Sequence, residues 1–434
     1  MRRLLVMAYF YPPLAGGGVH RVLSFTRHLP RHGWACTVVC AGEQDYWVRD
    51  ESLLARVSAE TEVIRVAGGS ALSALLRMRA ASTAGRRSSS RFAALRSLSD
   101  WFLLPDSYVG WAARAGRAAA ARIAAGGVDA VLSTSPPDSV HLAAERITRA
   151  PGSTSRRLPW IADFRDPWIG SNFRTPPTAW HAARHAAMEA RVTGTADLVV
   201  TASRTHHDEL ASRTSARPAR LLHLPNGFEP LSPERAPSER DPIAFRIAFT
   251  GQLSLMEDAG TLLAAVHQVL QREPASRGQL RVDLAGPYDD KWAARTSALG
   301  LSDVVRFPGQ IAHEATRELQ RTADVLVLWK PTGGRFRTMV PGKLYEYLDS
   351  GRPLLALLHA EDEAAGLVKR AGGTLLPPGD VGALADELCV RWRRWRDGER
   401  TADQRVAWLG EYERASLAAT LAGALDGLMA EPSR

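Results

Sequence analysis

The chain of 434 residues is 45% hydrophobic and 23% charged, with 35 glycines and 26 prolines, which is typical of an ordered globular protein and excludes fibrous and low-complexity classes. At about 100–200 residues per domain, this length predicts two or three domains. The formal charge of +9 comes almost wholly from arginine, since only four of the 55 basic residues are lysine. We attribute this bias mainly to base composition and expect no nucleic-acid partner.

The cysteine content and the apolar runs bear on location. Three cysteines, Cys36, Cys40 and Cys389, are too few for a disulfide framework and indicate a reducing compartment. The apolar run at residues 4–11 stops at Pro12 and is too short for a signal peptide. No later window has the roughly 18 uninterrupted apolar residues of a membrane span. We therefore expect a cytoplasmic protein, with the inner membrane face as an alternative.

Short apolar runs alternate with helical patterns in the first half, which predicts βαβ units and a parallel sheet in a first domain at residues 1–230. The predicted strands are Leu4–Tyr9, Cys36–Cys40, Val63–Val66, Ala130–Thr134, Trp160–Asp163 and Leu198–Ala202. A proline-rich stretch at 231–242 is the predicted linker.

The same alternation restarts after the linker and predicts a second α/β domain at 243–402. Its predicted strands are Ile243–Thr250, Val282–Ala285, Val304–Phe307, Val325–Trp329, Leu354–Leu357 and Thr374–Leu376. Two such halves predict a ligand cleft between them, because open α/β sheets bind beyond the carboxyl ends of their strands. The remainder, 403–434, is helical in pattern and is a candidate to return to the first domain.

Two patterns leave alternatives open. Residues 72–104 carry six arginines between leucines and phenylalanines, which is typical either of a surface excursion packed on its own domain or of a helix on an anionic membrane. His181, His185 and Glu189 recur at helical spacing, as metal ligands on one face would. With no further ligand cluster nearby, we expect that face to be an ordinary solvent-exposed surface and predict no metal site.

The first candidate site is a glycine run. Gly16, Gly17 and Gly18 follow a strand and precede a helix, where glycines let the backbone approach an anion that the helix N-terminus attracts. The run is neither a dinucleotide fingerprint nor a P-loop, because the later motif residues are missing. We assign Gly17 and Gly18 to an anion-binding turn.

A second cluster ends the fifth predicted strand. Asp163, Arg165 and Asp166 are costly to bury unless they pair with each other or with a ligand. The cluster is either a salt-bridged turn or a site in which Asp166 accepts a substrate hydroxyl and Arg165 faces negative charge.

A third cluster is basic and bears glycine. Arg335 precedes a turn at Gly342, and Lys343 near the following helix start is placed to meet phosphate. One helical turn later, Glu346 is placed to accept both hydroxyls of a ribose. This pattern predicts nucleotide binding.

In this order and spacing, the motifs resemble those of a family 4 glycosyltransferase of the GT-B fold, over nearly the whole chain. They are residues 9–18, Trp160 to Trp168, Ala196 to Ser203, Pro225-Asn226-Gly227, Phe249-Thr250-Gly251, Phe307-Pro308-Gly309, and Lys343 to Leu348 with Gly351-Arg352-Pro353.

The resemblance implies two facing Rossmann-like domains and a retaining transfer of sugar from a nucleotide-sugar donor, with no metal or other cofactor. The acceptor would be a glycan, a lipid-linked precursor or a natural product. Glu346 would hold the donor ribose, while Gly342, Lys343 and Leu344 would contact the diphosphate. The first-domain glycines would face the donor, with Asp166 and Arg165 as catalytic residues.

The chain also departs from that family. Gly251 and Gln252 are assigned to donor binding, in the turn after the first strand of the second domain. The arginine and lysine with which relatives grip the diphosphate there align with Gln252 and about Glu257. Thr338 replaces an acid eight residues before Glu346. Either Lys343, Arg335 and Arg337 supply the missing charge, or the donor is unusual, or activity is reduced. A GT-B epimerase and a binding protein without catalysis therefore remain as alternatives.

Overall fold

The computed structural model describes residues 1–14, 16–42, 49–68, 100–149, 157–170, 174–213, 220–230, 240–253, 259–399 and 406–430. The basic segment 72–104 lies outside this description except for residues 100–104, and so do Glu257 and most of the linker. The chain divides into two compact units, residues 1–226 with 414–434, and residues 227–413.

The first domain is built on one parallel sheet of seven strands in the order β3-β2-β1-β4-β5-β6-β7. The strands are Arg2–Met7 (β1), Trp34–Ala41 (β2), Glu62–Val66 (β3), Ala130–Ser135 (β4), Trp160–Phe164 (β5), Leu198–Thr201 (β6) and Leu221–His223 (β7). Its helices before residue 226 are Gly17–His28 (α1), Val109–Ala124 (α2), Ser139–Arg149 (α3), Ala179–Thr195 (α4) and Arg204–Arg213 (α5). The six predicted strands are confirmed, while the half-buried edge strand β7 was not predicted.

The second domain has a parallel sheet of six strands in the order β10-β9-β8-β11-β12-β13. The strands are Phe245–Thr250 (β8), Leu280–Ala285 (β9), Val305–Gly309 (β10), Val325–Trp329 (β11), Leu354–Leu357 (β12) and Thr374–Leu376 (β13). Its helices are Ala259–Arg272 (α6), Asp290–Ala298 (α7), His313–Thr322 (α8), Gly342–Ser350 (α9), Glu363–Arg370 (α10) and Val381–Arg396 (α11). All six predicted strands are confirmed.

The last helix, Arg414–Ala430 (α12), belongs to the first domain. Leu417, Leu421 and Leu425 join the same buried cluster as Leu4 of β1. The second unit accordingly runs from 227 to 413, wider than the predicted 243–402.

The central strands are apolar on both faces, as parallel strands covered by helices require. In β1, Leu4 and Val6 point to the cluster that includes α1 and α12, while Leu5 and Met7 point to the cluster that includes α2 and α3. This double burial explains why a continuous apolar run predicted the strand.

In each sheet the strand order reverses beside the first strand, between β1 and β4 and between β8 and β11. Ligands of open α/β sheets bind at such switch points, outside the carboxyl ends of the strands. Among the described residues, no helix combines the length and apolarity that crossing a bilayer requires.

Candidate functional site

The switch point of the second domain carries a turn that only glycine fits. Gly251 follows β8 with a φ of 143°, a conformation that side chains disfavour. A Cβ atom on Gly251 would collide with Nζ of Lys343, and one on Gly286 would collide with the carbonyl oxygen of Gly251. The missing side chains let the β8 turn and Lys343 approach closely.

Lys343 is an isolated cation at this turn. Its Nζ is buried and has no hydrogen-bond partner among the described residues. It lies 3.9 Å from the ring centroid of Phe249, which stacks at 3.8 Å on Trp329. Burial lowers the pKa of Lys343 to about 7, against the opposing charge of Glu346. A bound anion would stabilise the charged ammonium, which the protein itself leaves poorly compensated.

The helix that carries Lys343 has Pro341, which has no polar side chain, as its N-cap residue. No side chain caps α9 at Pro341, and no acidic residue lies in its first turn. Gly342 is exposed there. Free backbone N–H groups and the helix dipole favour an anion at such a helix start. The diphosphate contacts expected of Gly342 and Lys343 stay a prediction, which this geometry permits.

Leu344, unlike its neighbours Gly342 and Lys343, is a core residue. Its side chain is fully buried in the core, and its N–H donates to the carbonyl oxygen of Pro341 at 2.9 Å. Leu344 therefore anchors the start of α9, and direct contact with a donor stays a prediction.

Glu346 is held in position by α8. Its Oε2 accepts a hydrogen bond of 3.2 Å from Nε2 of Gln320, which also donates to Thr250 at 3.0 Å. Arg317 of the same helix donates to the carbonyl oxygen of Glu346 at 2.9 Å and pairs with Asp349. The half-buried carboxylate thus keeps a fixed direction and one oxygen outside this network.

Arg335 lies in a short 3₁₀ helix, Gly334–Phe336, and its side chain is outside the description. The buried Lys330 secures this loop, because its Nζ donates to the carbonyl oxygen of Phe336 and pairs with Asp362 at 2.8 Å. Sequence reasoning did not identify this function of Lys330.

Of the three residues that depart from the family pattern, the structure describes Gln252 and Thr338. Gln252 is exposed next to Gly251, whereas Glu257 lies outside the described residues. Thr338 is buried, and its hydroxyl has no hydrogen-bond partner in the described part of the chain.

In the first domain, the glycine run meets the strand-end cluster. Gly18 lies in the first turn of α1, and a Cβ atom there would collide with the guanidinium of Arg165. Arg165 also lies over the ring of Phe10 at 5.8 Å and pairs with Asp166 at 3.2 Å. Gly17 is exposed, with open space around its Cα. The structure therefore brings Gly18, Arg165 and Asp166 together, with Gly17 at the edge.

Asp163 does not join that cluster. It forms a buried two-point ion pair with Arg21 of α1, with nitrogen–oxygen distances of 2.7 and 2.9 Å. Arg21 also donates to the carbonyl oxygens of Leu224 and Pro225, and Thr134 donates to Asp163. The pair therefore ties α1 to the ends of β4, β5 and β7.

The prediction that His181, His185 and Glu189 lie on a solvent-exposed face of α4 is wrong. His181, His185 and Glu189 are all buried. Nδ1 of His185 accepts from the indole of Trp168 at 3.0 Å, and Glu189 accepts from the N–H of Ile169 at 3.0 Å. Over the described residues, no three His, Cys, Asp or Glu side chains are grouped as metal ligands would be.

The second domain is similar in sequence to known proteins. Residues 244–392 match the family model for glycosyl transferases group 1, which covers most of the second domain. Over 168 residues, the chain is 26% identical to a D-inositol 3-phosphate glycosyltransferase of Streptomyces griseus, a match to 32% of this chain and 36% of the relative. The chain thus matches only about a third of the length of this curated relative.

Two solved structures extend the likeness to the whole chain. Anabaena HepE, solved in complex with UDP-glucose, has a TM-score of 0.64 at 15% identity, over 98% of this chain and 100% of HepE. Sucrose-phosphate synthase of Thermosynechococcus elongatus has a TM-score of 0.65 at 15% identity, over 99% of this chain and 100% of the synthase. Two parallel α/β domains with these neighbours define the GT-B fold.

Proposed function

We propose that the protein is a retaining, metal-independent glycosyltransferase of family 4 that transfers a sugar from a nucleotide-sugar donor to an acceptor hydroxyl. The buried, unpartnered ammonium of Lys343, beside the Gly251 turn and the uncapped start of α9, is the observation that carries the proposal. The match of residues 244–392 to glycosyl transferases group 1 supports it independently.

On the donor side, Lys343 and the N–H groups at the start of α9 bind the diphosphate. Glu346, oriented by Gln320, accepts hydrogen bonds from the ribose hydroxyls. A diphosphate spreads negative charge over several oxygens, which suits one cation and several N–H donors. UDP-glucose is the first donor to test, because HepE was solved in complex with it.

On the acceptor side, Asp166 positions the acceptor by accepting a hydrogen bond from a substrate hydroxyl other than the attacking one, and Arg165 counters the negative charge that develops on the leaving group. The bond from the anomeric carbon to the diphosphate oxygen breaks as a new bond to the acceptor oxygen forms on the same face. The proton of the acceptor hydroxyl passes to the leaving phosphate oxygen. The protein then acts mainly by placement and by charge stabilisation.

The acceptor is proposed as a hydroxyl of a glycan, a lipid-linked precursor or a natural product. We also propose a cytoplasmic location, which the low cysteine content of three residues supports, since disulfide frameworks belong to oxidising compartments.

A thermal-shift panel of UDP, GDP and dTDP sugars tests donor binding, because a ligand that binds only the folded state raises the melting temperature. We expect one donor class to stabilise the wild type, and Lys343→Ala and Glu346→Ala each to lose most of that shift. Lys369→Ala, which removes an exposed lysine of α10, is the matched control and keeps the full shift. No shift with any donor, or equal shifts in all variants, would contradict the assigned pocket.

A further inference from the structure

Trp101 and Trp180 form an exposed aromatic patch on the first domain, and the exposed Phe102 follows Trp101 in the chain. Trp101, Phe102 and Trp180 are 50%, 79% and 59% exposed. The rings of Trp101 and Trp180 both pack edge-on against His181, at 5.6 and 4.9 Å between centroids. Nε2 of His181 also lies 3.2 Å from the carbonyl oxygen of Trp101, which fixes the two segments together. We call Trp101, Phe102 and Trp180 the aromatic patch.

The outer face of α4 continues this patch. Its exposed positions after Trp180 are five alanines, two arginines and one glycine, Ala182, Ala183, Arg184, Ala186, Ala187, Ala190, Arg191 and Gly194. The one acidic residue of the helix, Glu189, is buried on the other side. The exposed face is therefore mainly apolar, with Arg184 as a cation, because the second arginine, Arg191, pairs with Glu145 of α3 at 3.0 Å.

One cation lies directly on the patch. Arg184 lies over the ring of Trp180 at 6.0 Å. By sequence, the stretch 69–99 that leads to the patch has six arginines and no acidic residue. The residue directly before Trp101 is an acid, Asp100.

We propose that the aromatic patch and the outer face of α4 dock the first domain on an anionic lipid bilayer. Tryptophan and phenylalanine suit the interface between water and lipid, where a ring contacts acyl chains and a polar edge stays wet. A helix with small apolar residues and arginines on its exposed face lies in the plane of that interface, and the arginines meet anionic headgroups. This proposal is independent of the proposed donor site.

Flotation of the full chain with vesicles tests the surface. We expect the wild type to float with phosphatidylcholine vesicles containing about 30% phosphatidylglycerol, and weakly with pure phosphatidylcholine. Phe102→Ala with Trp180→Ala should reduce flotation about fivefold or more, and Arg184→Glu should reduce it on anionic vesicles only. Ile243→Ala, which removes a 77% exposed side chain of the second domain, is the control and should float like the wild type.

Three outcomes would overturn the proposal. Flotation of the double variant at the wild-type level would show that another surface reaches the bilayer. No flotation of the wild type would exclude lipid docking. Sedimentation that shows a dimer in the wild type and a monomer in the double variant, without lipid binding, would make the patch a contact between copies. Thermal shift with the matched nucleotide sugar, measured on the same samples, shows separately whether folding and the donor site are intact.

Discussion

Lys343 combines burial, an aromatic contact and the absence of any hydrogen-bond partner among the described residues. Because its pKa is lowered to about 7, the side chain of the free protein changes charge near neutral pH. A bound diphosphate favours the charged form, so binding above pH 7 takes up a proton.

Because diphosphate binding takes up a proton, donor affinity is expected to depend on pH. The phosphates of a nucleotide sugar keep their charge between pH 7 and 9, so Lys343 sets the trend. Affinity should fall as pH rises above about 7, by up to about tenfold per pH unit. Lys343→Arg, whose guanidinium stays charged, should remove the slope. Titration calorimetry of the wild type and of Lys343→Arg between pH 7 and 9 measures this slope. An equal slope in the two proteins would refute the role of Lys343.

The ion pair of Arg21 with Asp163 is nearly inaccessible, with both side chains 1% exposed. Arg21→Met leaves a buried carboxylate without its cation, which costs about 3–5 kcal/mol. We expect a clear drop in the melting temperature of the first domain. Arg49→Ala removes an exposed pair with Glu51 and should cost less than about 1 kcal/mol. Denaturation of both variants checks this, and similar stabilities would show that the buried pair is not structural.

These residues also show which contacts the sequence can reveal. Lys343 and Glu346 are close in sequence to a glycine turn and a helix start, so local pattern was enough to select them. Arg21 and Asp163 are 142 positions apart, and Gln320 is 26 positions from Glu346. No local pattern pairs them, because the fold alone brings them together.

At the scale of elements, the first turn of α1 offers two adjacent glycines with different surroundings. A methyl group on Gly18 would displace the guanidinium of Arg165, whereas Gly17 has open space. Gly18→Ala should lower turnover while nucleotide-sugar binding persists, because the second domain supplies the donor contacts. Gly17→Ala should be near neutral, since it removes about 0.5–1 kcal/mol of helix-disfavouring flexibility and keeps the N–H. Steady-state kinetics with donor titration distinguishes them, and equal effects would argue against a role for Arg165.

Strands were predicted better than helix faces, for a physical reason. A parallel strand is covered on both sides, so an apolar run suffices to identify it. In α4, the spacing of His181, His185 and Glu189 correctly placed them on one face, but periodicity does not say which face is buried. Alanines cover the exposed side of α4, so residue polarity predicted the opposite orientation of the helix to the one observed.

At the scale of the molecule, the chain forms its first domain from both ends. Leu421 of α12 is fully buried in a core shared with β1. Leu421→Ala should destabilise the first domain by about 2–5 kcal/mol through the cavity it leaves. Thr420→Ala changes an exposed neighbour and should have little effect. Thermal unfolding checks the pair, and an unchanged wild-type melting curve for Leu421→Ala would show that α12 is dispensable.

The division of the chain was predicted only in outline. Composition at 231–242 indicated a boundary, since proline-rich stretches disfavour packed elements. The packing of α12 on the first domain was not evident from the sequence. Its leucines show that one face is apolar, but the surface that this face covers exists only once the first sheet is folded.

Release of nucleoside diphosphate is the most direct measure of the proposed transfer. We predict that the wild type, given its matched nucleotide sugar and a panel of glycan and lipid-linked acceptors, releases the diphosphate in step with acceptor glycosylation. Glu346→Ala should release it about tenfold or more slowly at limiting donor, because donor binding is weakened. Formation of an isomeric nucleotide sugar without diphosphate release, or binding without any turnover, would contradict the account.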